Sequence, residues 1–422
     1  MLGARAGPSG KLGRGEAMSF FVKEKIDFEK HNEQARRLWE DYGQRRHSRV
    51  PVRIAGSIRN LISNPQVNKT GYSFKDFFTK AEAQIDCQLA YQHYCRHNII
   101  CDNEMGLPKG GWQLALDFQN SYDQAWFGCP LRFFGDTDVP DTLEILKEHP
   151  ERLDEWEDPD PFWGRGDFMK HAVEMYEQIK ARCDAGLEFC SRPVFPPVAL
   201  PGVGSDGVFS MALKIRGTVE TMLDMYEDPA CFHKLMDYVT RNSIRRIRTM
   251  REWSWDHDPN YHGNRSHRGP FYYADDSIAL LSCEQYKQFV LPYHRRIFDE
   301  FHDGSGSCIH LCGDSTRHFK LLAEEFNVKT FDTGFPVDHG KLRRELGPDI
   351  EIIGGPNVML LKDGTPSEIA AETKRICESG VMNGRRFLLA AANNLAPCTP
   401  VENIRPFYEA GKRHGQYEGY GP

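Results

Sequence analysis

The chain has 422 residues, 40% hydrophobic and 12% aromatic, enough to bury the core of one large α/β domain or of two ordinary ones. Its 60 acidic and 53 basic residues leave a net charge of −7 without a basic block, which argues against nucleic acid as a partner and for a small-molecule substrate. No apolar run reaches the roughly 18 residues of a membrane span, no secretion signal opens the chain, and twelve scattered cysteines lack disulfide-scaffold spacing, so a reduced, cytoplasmic protein with no membrane partner is expected.

Residues 1–17, MLGARAGPSGKLGRGEA, are rich in glycine and basic residues with almost nothing to bury, and read as a disordered tail ahead of a single folded domain over 18–422. From Ser19 to about Arg45 the pattern is helical and highly charged, an N-terminal helical extension that leads through RRHSRVPVRIAG into a first short strand. Further strand candidates are NIICD ending at Asp102, the stretch PPVALPG, and GPFYYADD ending at Asp275 and Asp276 before a long helix from Cys283 to Phe301. SDGVFSMALKIRG, 205–217, reads as a strand-end turn followed by a helix, with Arg216 either an anion contact or a surface charge.

The last 120 residues alternate apolar runs with amphipathic segments. CIHLC precedes STRHFKLLAEEF, KTFDTG precedes DHGKLRREL, IEIIGG precedes PSEIAAETKRICESG, and RFLLAAA precedes VENIRPFYEAGKR. Four successive β-α units with nearly continuous apolar strands predict a parallel sheet covered on both faces. Eight such units would close a (β/α)8 TIM barrel. His310, Cys312, Asp332, Asn357, Asn393, Asn394, Asp275 and Asp276 all fall at carboxyl ends of strands, where such a barrel assembles its chemistry. No glycine-rich phosphate fingerprint follows a strand, which counts against a dinucleotide fold.

In CIHLCGDSTRHF, side-chain alternation points His310 and Cys312 to one face and Ile309 and Leu311 to the other. An imidazole and a thiolate on one face are two ligand types that zinc prefers, with Cys398 the evident distant sulfur. A buried histidine bonded to backbone beside an inert cysteine accounts for the same motif. Asp275 and Asp276 suit an acid and base, a metal ligand or a helix cap, and Asp332 suits a site carboxylate or a turn former before Gly334. Asn357, Asn393 and Asn394 are candidate substrate contacts, with turn stabilisation as the alternative for the last two. His257, His262 and His267, five apart, fit neither helix nor strand ligand geometry and read as a solvated loop.

SDGVFSMALKIRG with YEDPACFHKLMD, YYADDSIALLSCEQYKQFVLPYHRRIF, IHLCGDS, GGPNVMLLKDGTPSEI and LAPCTPVENI resemble the uroporphyrinogen decarboxylase superfamily, which includes corrinoid-dependent methyltransferases, from about residue 200 onward. The resemblance implies a single β/α barrel. The His-x-Cys pair resembles the methyltransferase branch, in which a histidine, the nearby cysteine and a later cysteine hold a zinc that activates the methyl-accepting thiol. Since Asn393 aligns where the family's later cysteine stands, that implies zinc on His310, Cys312 and Cys398, zinc on His310, Cys312 and a carboxylate such as Asp276 or Asp332, or no zinc. It also implies a corrinoid, carried by a partner protein or supplied as methylcobalamin. The expected activity is methyl transfer between a small substrate and a corrinoid protein or thiol. The alternatives are a metal-free decarboxylase or lyase, and a binding barrel without chemistry.

Overall fold

The structure, a computed structural model, describes residues 26–135, 138–258, 261 and 265–418. The tail expected over 1–17, the start of the first helix at Ser19, and His262 lie outside the described residues. Six strands form a continuous parallel sheet: β1 (Val52–Arg53), β2 (Gly269–Ala274), β3 (His302–Leu311), β4 (Val328–Thr333), β5 (Glu351–Gly354) and β6 (Phe387–Ala390). Their spatial order is β1-β6-β5-β4-β3-β2. Parallel neighbours need crossover helices, and the expected amphipathic segments supply them as Phe319–Phe326, His339–Leu346, Pro366–Ile376 and Val401–His414. β6 is buried at every position, which explains its unbroken apolar sequence FLLA.

The N-terminal extension is α1 (Phe28–Gly43), capped by Asp27, whose side chain accepts from the Lys30 N–H. Long helices cover the outside of the middle region, α2 (Ala81–Asn98), α3 (Phe168–Asp184), α4 (Val208–Arg216) and α5 (Pro229–His257). The barrel expectation holds as an α/β fold with a six-stranded parallel arc rather than eight registered strands among the described residues.

Two expected strands are absent for identifiable reasons. NIICD ends in a turn, where Asp102 uses its carboxylate as well as its backbone: Val52 N–H donates to Asp102 Oδ2 at 2.7 Å, and Arg49 grips the same carboxylate through both terminal nitrogens. PPVALPG is irregular because its three prolines cannot donate to a ladder, and the strand forms just before it at Arg192–Phe195. The helix expected from Cys283 to Phe301 is broken instead. A π turn at Tyr286–Val290 joins Cys283–Gln285 to α6 (Leu291–Phe301), accommodating Pro292, which lacks an N–H and whose ring crowds the preceding turn.

Register positions the site. His310 on β3 pairs with Ala274 on β2 and with Asp332 on β4, so the three share one row across the sheet. Asp276 and Cys312, each two residues further on, continue that row past the strand ends.

Candidate metal centre

A cavity of about 910 Å³ opens at the carboxyl ends of the strands. His310, Cys312, Asp276, Asp332, Asn393 and Asn394 line it, six of the residues singled out from the sequence. His310 Nε2 lies 3.1 Å from the Cys312 sulfur, as expected for side chains two apart on one strand face. The Cys312 N–H donates to Asp276 Oδ1 at 2.6 Å, which fixes that carboxylate beside the pair. Asn393 Nδ2 donates to the Cys312 sulfur at 2.9 Å. One ligand atom each from Asp276, His310 and Cys312 lies within 4.8 Å of the others. Oxygen, nitrogen and sulfur converging at this spacing is a donor set that fits zinc.

Electrostatics favour a cation there. Burial works against a charged imidazole at His310, yet Asp332 and Cys312 outweigh it and push its pKa up to about 11. His310 Nδ1 stands 3.1 Å from Asp332 Oδ2, an ion-pair contact off the axis of an aligned hydrogen bond. A carboxylate behind a ligating histidine orients the ring and raises its basicity. Gly334 makes room for this corner, since a Cβ there would come within 2.9 Å of the Cys312 backbone.

The remaining predicted residues stand elsewhere. Asp275 is buried outside the cavity lining, accepting from Phe209 N–H, Ser210 N–H, Ser210 Oγ and His294 Nε2 at 2.7–2.9 Å. It caps α4 from the sheet, and only a glycine fits against it at position 207, where φ is +100° and a Cβ would sit 2.3 Å from Asp275 Cγ. Arg216 lies at the far end of α4, paired with Asp224 at 2.8 Å and donating to the Leu146 and Lys147 carbonyls. Asn357 caps the helix Val358–Asp363, accepting from Met359 N–H. Cys398 is exposed, with its sulfur 3.5 Å from the Ser63 carbonyl in the loop after β6, apart from the donor cluster. His257 ends α5, bonded to the Trp253 carbonyl, and His267 pairs with Glu252.

Asp206, Gln124 and Arg53 are among the cavity residues not singled out from the sequence as site residues. Asp206 sits in the turn ahead of α4, where burial first, then the Asp276 and Asp275 carboxylates, push its pKa up to about 7. The one sequence signal for it is an acid flanked by glycines in GSDG, immediately before a helix.

Residues 271–414 match the family profile described as uroporphyrinogen decarboxylase (URO-D). The match covers about a third of the chain. It holds four of the six strands whole, most of β2 and all three metal-donor candidates. Over 141 residues, 32% of this chain and 35% of the other, the sequence is 32% identical to the methylated-thiol–coenzyme M methyltransferase of Methanosarcina mazei. Over 143 residues it is 27% identical to the methylcobamide:CoM methyltransferase MtbA of Methanosarcina acetivorans, covering 33% of this chain and 39% of that one. Over 141 residues it is 25% identical to a uroporphyrinogen decarboxylase of Prochlorococcus marinus, again 33% of this chain and 39% of the other. The chain thus spans little more than a third of the length of the curated relatives it matches, all of which are enzymes. A solved methyltransferase from Methanosarcina mazei superposes with a TM-score of 0.59 over 90% of this chain and 97% of its own, at 18% identity, so the likeness in fold extends well beyond residues 271–414.

Proposed function

We propose that residues 18–422 work as one barrel, a cytoplasmic zinc-dependent methyltransferase of the corrinoid type, moving a methyl group between a small substrate and a corrinoid protein or thiol. The observation that carries this reading is the convergence of Asp276, His310 and Cys312 on one point of the cavity wall. The similarity to methylated-thiol and methylcobamide methyltransferases over the same residues supports it. Zinc bound there would lower the pKa of a substrate thiol, so that a thiolate is available at neutral pH.

The chain's own groups prepare that corner. Asp332 holds the His310 ring through Nδ1 and leaves Nε2 facing Cys312. Asn393 donates to the Cys312 sulfur, stabilising negative charge on it. Asp206, with a pKa near neutrality, can hold or release a proton inside the cavity. Asn394 lines the mouth and is available to a substrate. In this reading the corrinoid is carried by a partner protein or supplied as free methylcobalamin.

Metal analysis of the purified protein tests this reading. About one zinc per chain is expected, falling below about 0.2 in His310→Ala and Cys312→Ala, with methyl transfer from methylcobalamin to a thiol lost in parallel. A wild-type protein without zinc that keeps full activity under chelation would reject it.

One observation favours a metal-free decarboxylase as the second reading. Arg53, at the end of β1, lines the cavity with no ion-pair partner among the described residues and could hold a substrate carboxylate. That reading expects activity to survive chelation and His310→Ala but to fall in Asp276→Asn.

A further inference from the structure

Beside the donor cluster, two residues that line the cavity carry buried hydrogen-bond acceptors that no described residue satisfies. Gln124 is 4% exposed and lines the cavity, and its amide oxygen is buried without a partner among the described residues. Asp206 lines the same cavity, and its Oδ2 is buried and unpartnered in the same way. Buried polar atoms are nearly always paired, so two such acceptors in one cavity call for donors from outside the chain.

Their mounting is rigid and shared. Arg246, wholly buried on α5, forms an ion pair with Asp123, the residue next to Gln124. Asp123 Oδ2 accepts from Ser205 Oγ at 2.8 Å and from the Asp206 N–H at 2.9 Å, and Arg246 Nη2 donates to the Gly204 carbonyl at 2.9 Å. One buried ion pair therefore fixes both acceptors, although they come from segments 82 positions apart. No residue of the donor cluster hydrogen-bonds to either of them among the described residues, although the Asp276 carboxylate is near enough to act on Asp206 through charge.

We propose that Gln124 and Asp206 form a recognition subsite for a primary amine or ammonium group of the substrate. An ammonium carries three N–H donors and a positive charge, and it meets one neutral and one acidic acceptor here, with the Asp276 and Asp332 carboxylates lining the same space. A hydroxyl has one donor and leaves an acceptor bare. The subsite rests on the cavity being the substrate site, as in the proposed function, and not on zinc.

Calorimetric titration of α,ω-aminoalkanethiols of two to five carbons against n-alkanethiols of equal length tests the subsite on the full chain. At one length or more, the aminothiol binds wild type at least tenfold more tightly than the plain thiol, and Asp206→Asn and Gln124→Leu each abolish that preference. Should Asp206→Asn fail to fold, Gln124→Leu decides alone. Equal affinities at every length, or a preference that survives in a folded variant, overturn the subsite. n-Alkylamines titrated into chelator-treated protein separate the two readings. Amine binding that is lost in Gln124→Leu, in a protein that never held zinc, sinks the methyltransferase reading and leaves the subsite. Zinc at one per chain with no amine preference does the reverse.

Discussion

Between β2 and β6 the chain alternates strand and helix, and the strand ends deliver Asp276, His310, Cys312, Asp332 and Asn393 to one wall of the cavity. Between α1 and α5 it runs through short strands, turns and separate helices, yet it supplies the other wall from a single buried ion pair. In the first region, position along a ladder sets geometry, because register fixes which side chains stand in a row. In the second, polar contacts inside the protein do that job, because no ladder is available. The two regions should therefore fail in different ways when they are cut.

The largest difference is expected at Asp123. Asp123→Ala leaves the Arg246 charge buried and unpaired, a loss of about 3–5 kcal/mol in urea unfolding, while zinc per chain in the folded fraction stays the same. Asp332→Asn should invert this pattern. Its folding stability changes little, but the His310 ring loses its anchor, and chelator competition should show zinc held about 10–100-fold more weakly. Retained affinity would mean that Asp332 does not position His310.

Acid should act across both regions. Burial holds His47, His318 and His339 neutral, with pKa values lowered to about 4. An unfolded histidine takes its proton near 6.5, so between pH 6.5 and 4 the unfolded chain binds more protons, and stability falls as pH falls through that window. The slope is at most about 1.4 kcal/mol per pH unit for each histidine. A pH-independent thermal midpoint over that range would show that these rings are solvated. The smallest effect belongs to Cys398→Ser, whose side chain is exposed outside the donor cluster: stability within about 0.5 kcal/mol of wild type and unchanged zinc content.

The same contrast explains what the sequence made legible. The four C-terminal β-α units were readable because apolar runs and amphipathic helices repeat there, and the His310-x-Cys312 spacing stated its own geometry once the strand was placed. Asp276 was visible as a strand-end acid, although not as the partner of the Cys312 N–H. Asp275 next to it could not be told apart, since burial beneath α4 depends on a contact 66 residues away at Phe209. Cys398 drew attention as a sulfur of the right type, whereas its distance from the cluster is set by the loop after β6. Gln124 and Asp206 had no periodicity to announce them, because their positions follow from Arg246, far off in the chain.

The pairing of His310 with Asp332 on one side and Ala274 on the other also bears on where this chain can change length. A single residue inserted within β3 ahead of His310 would turn its imidazole and the Cys312 sulfur outward and bring Leu311 inward, since successive side chains face opposite ways. The same insertion in the turn after Gly313 leaves every pairing intact. A change of length in the connecting turns therefore spares the donor row, whereas one inside the ladder dismantles it.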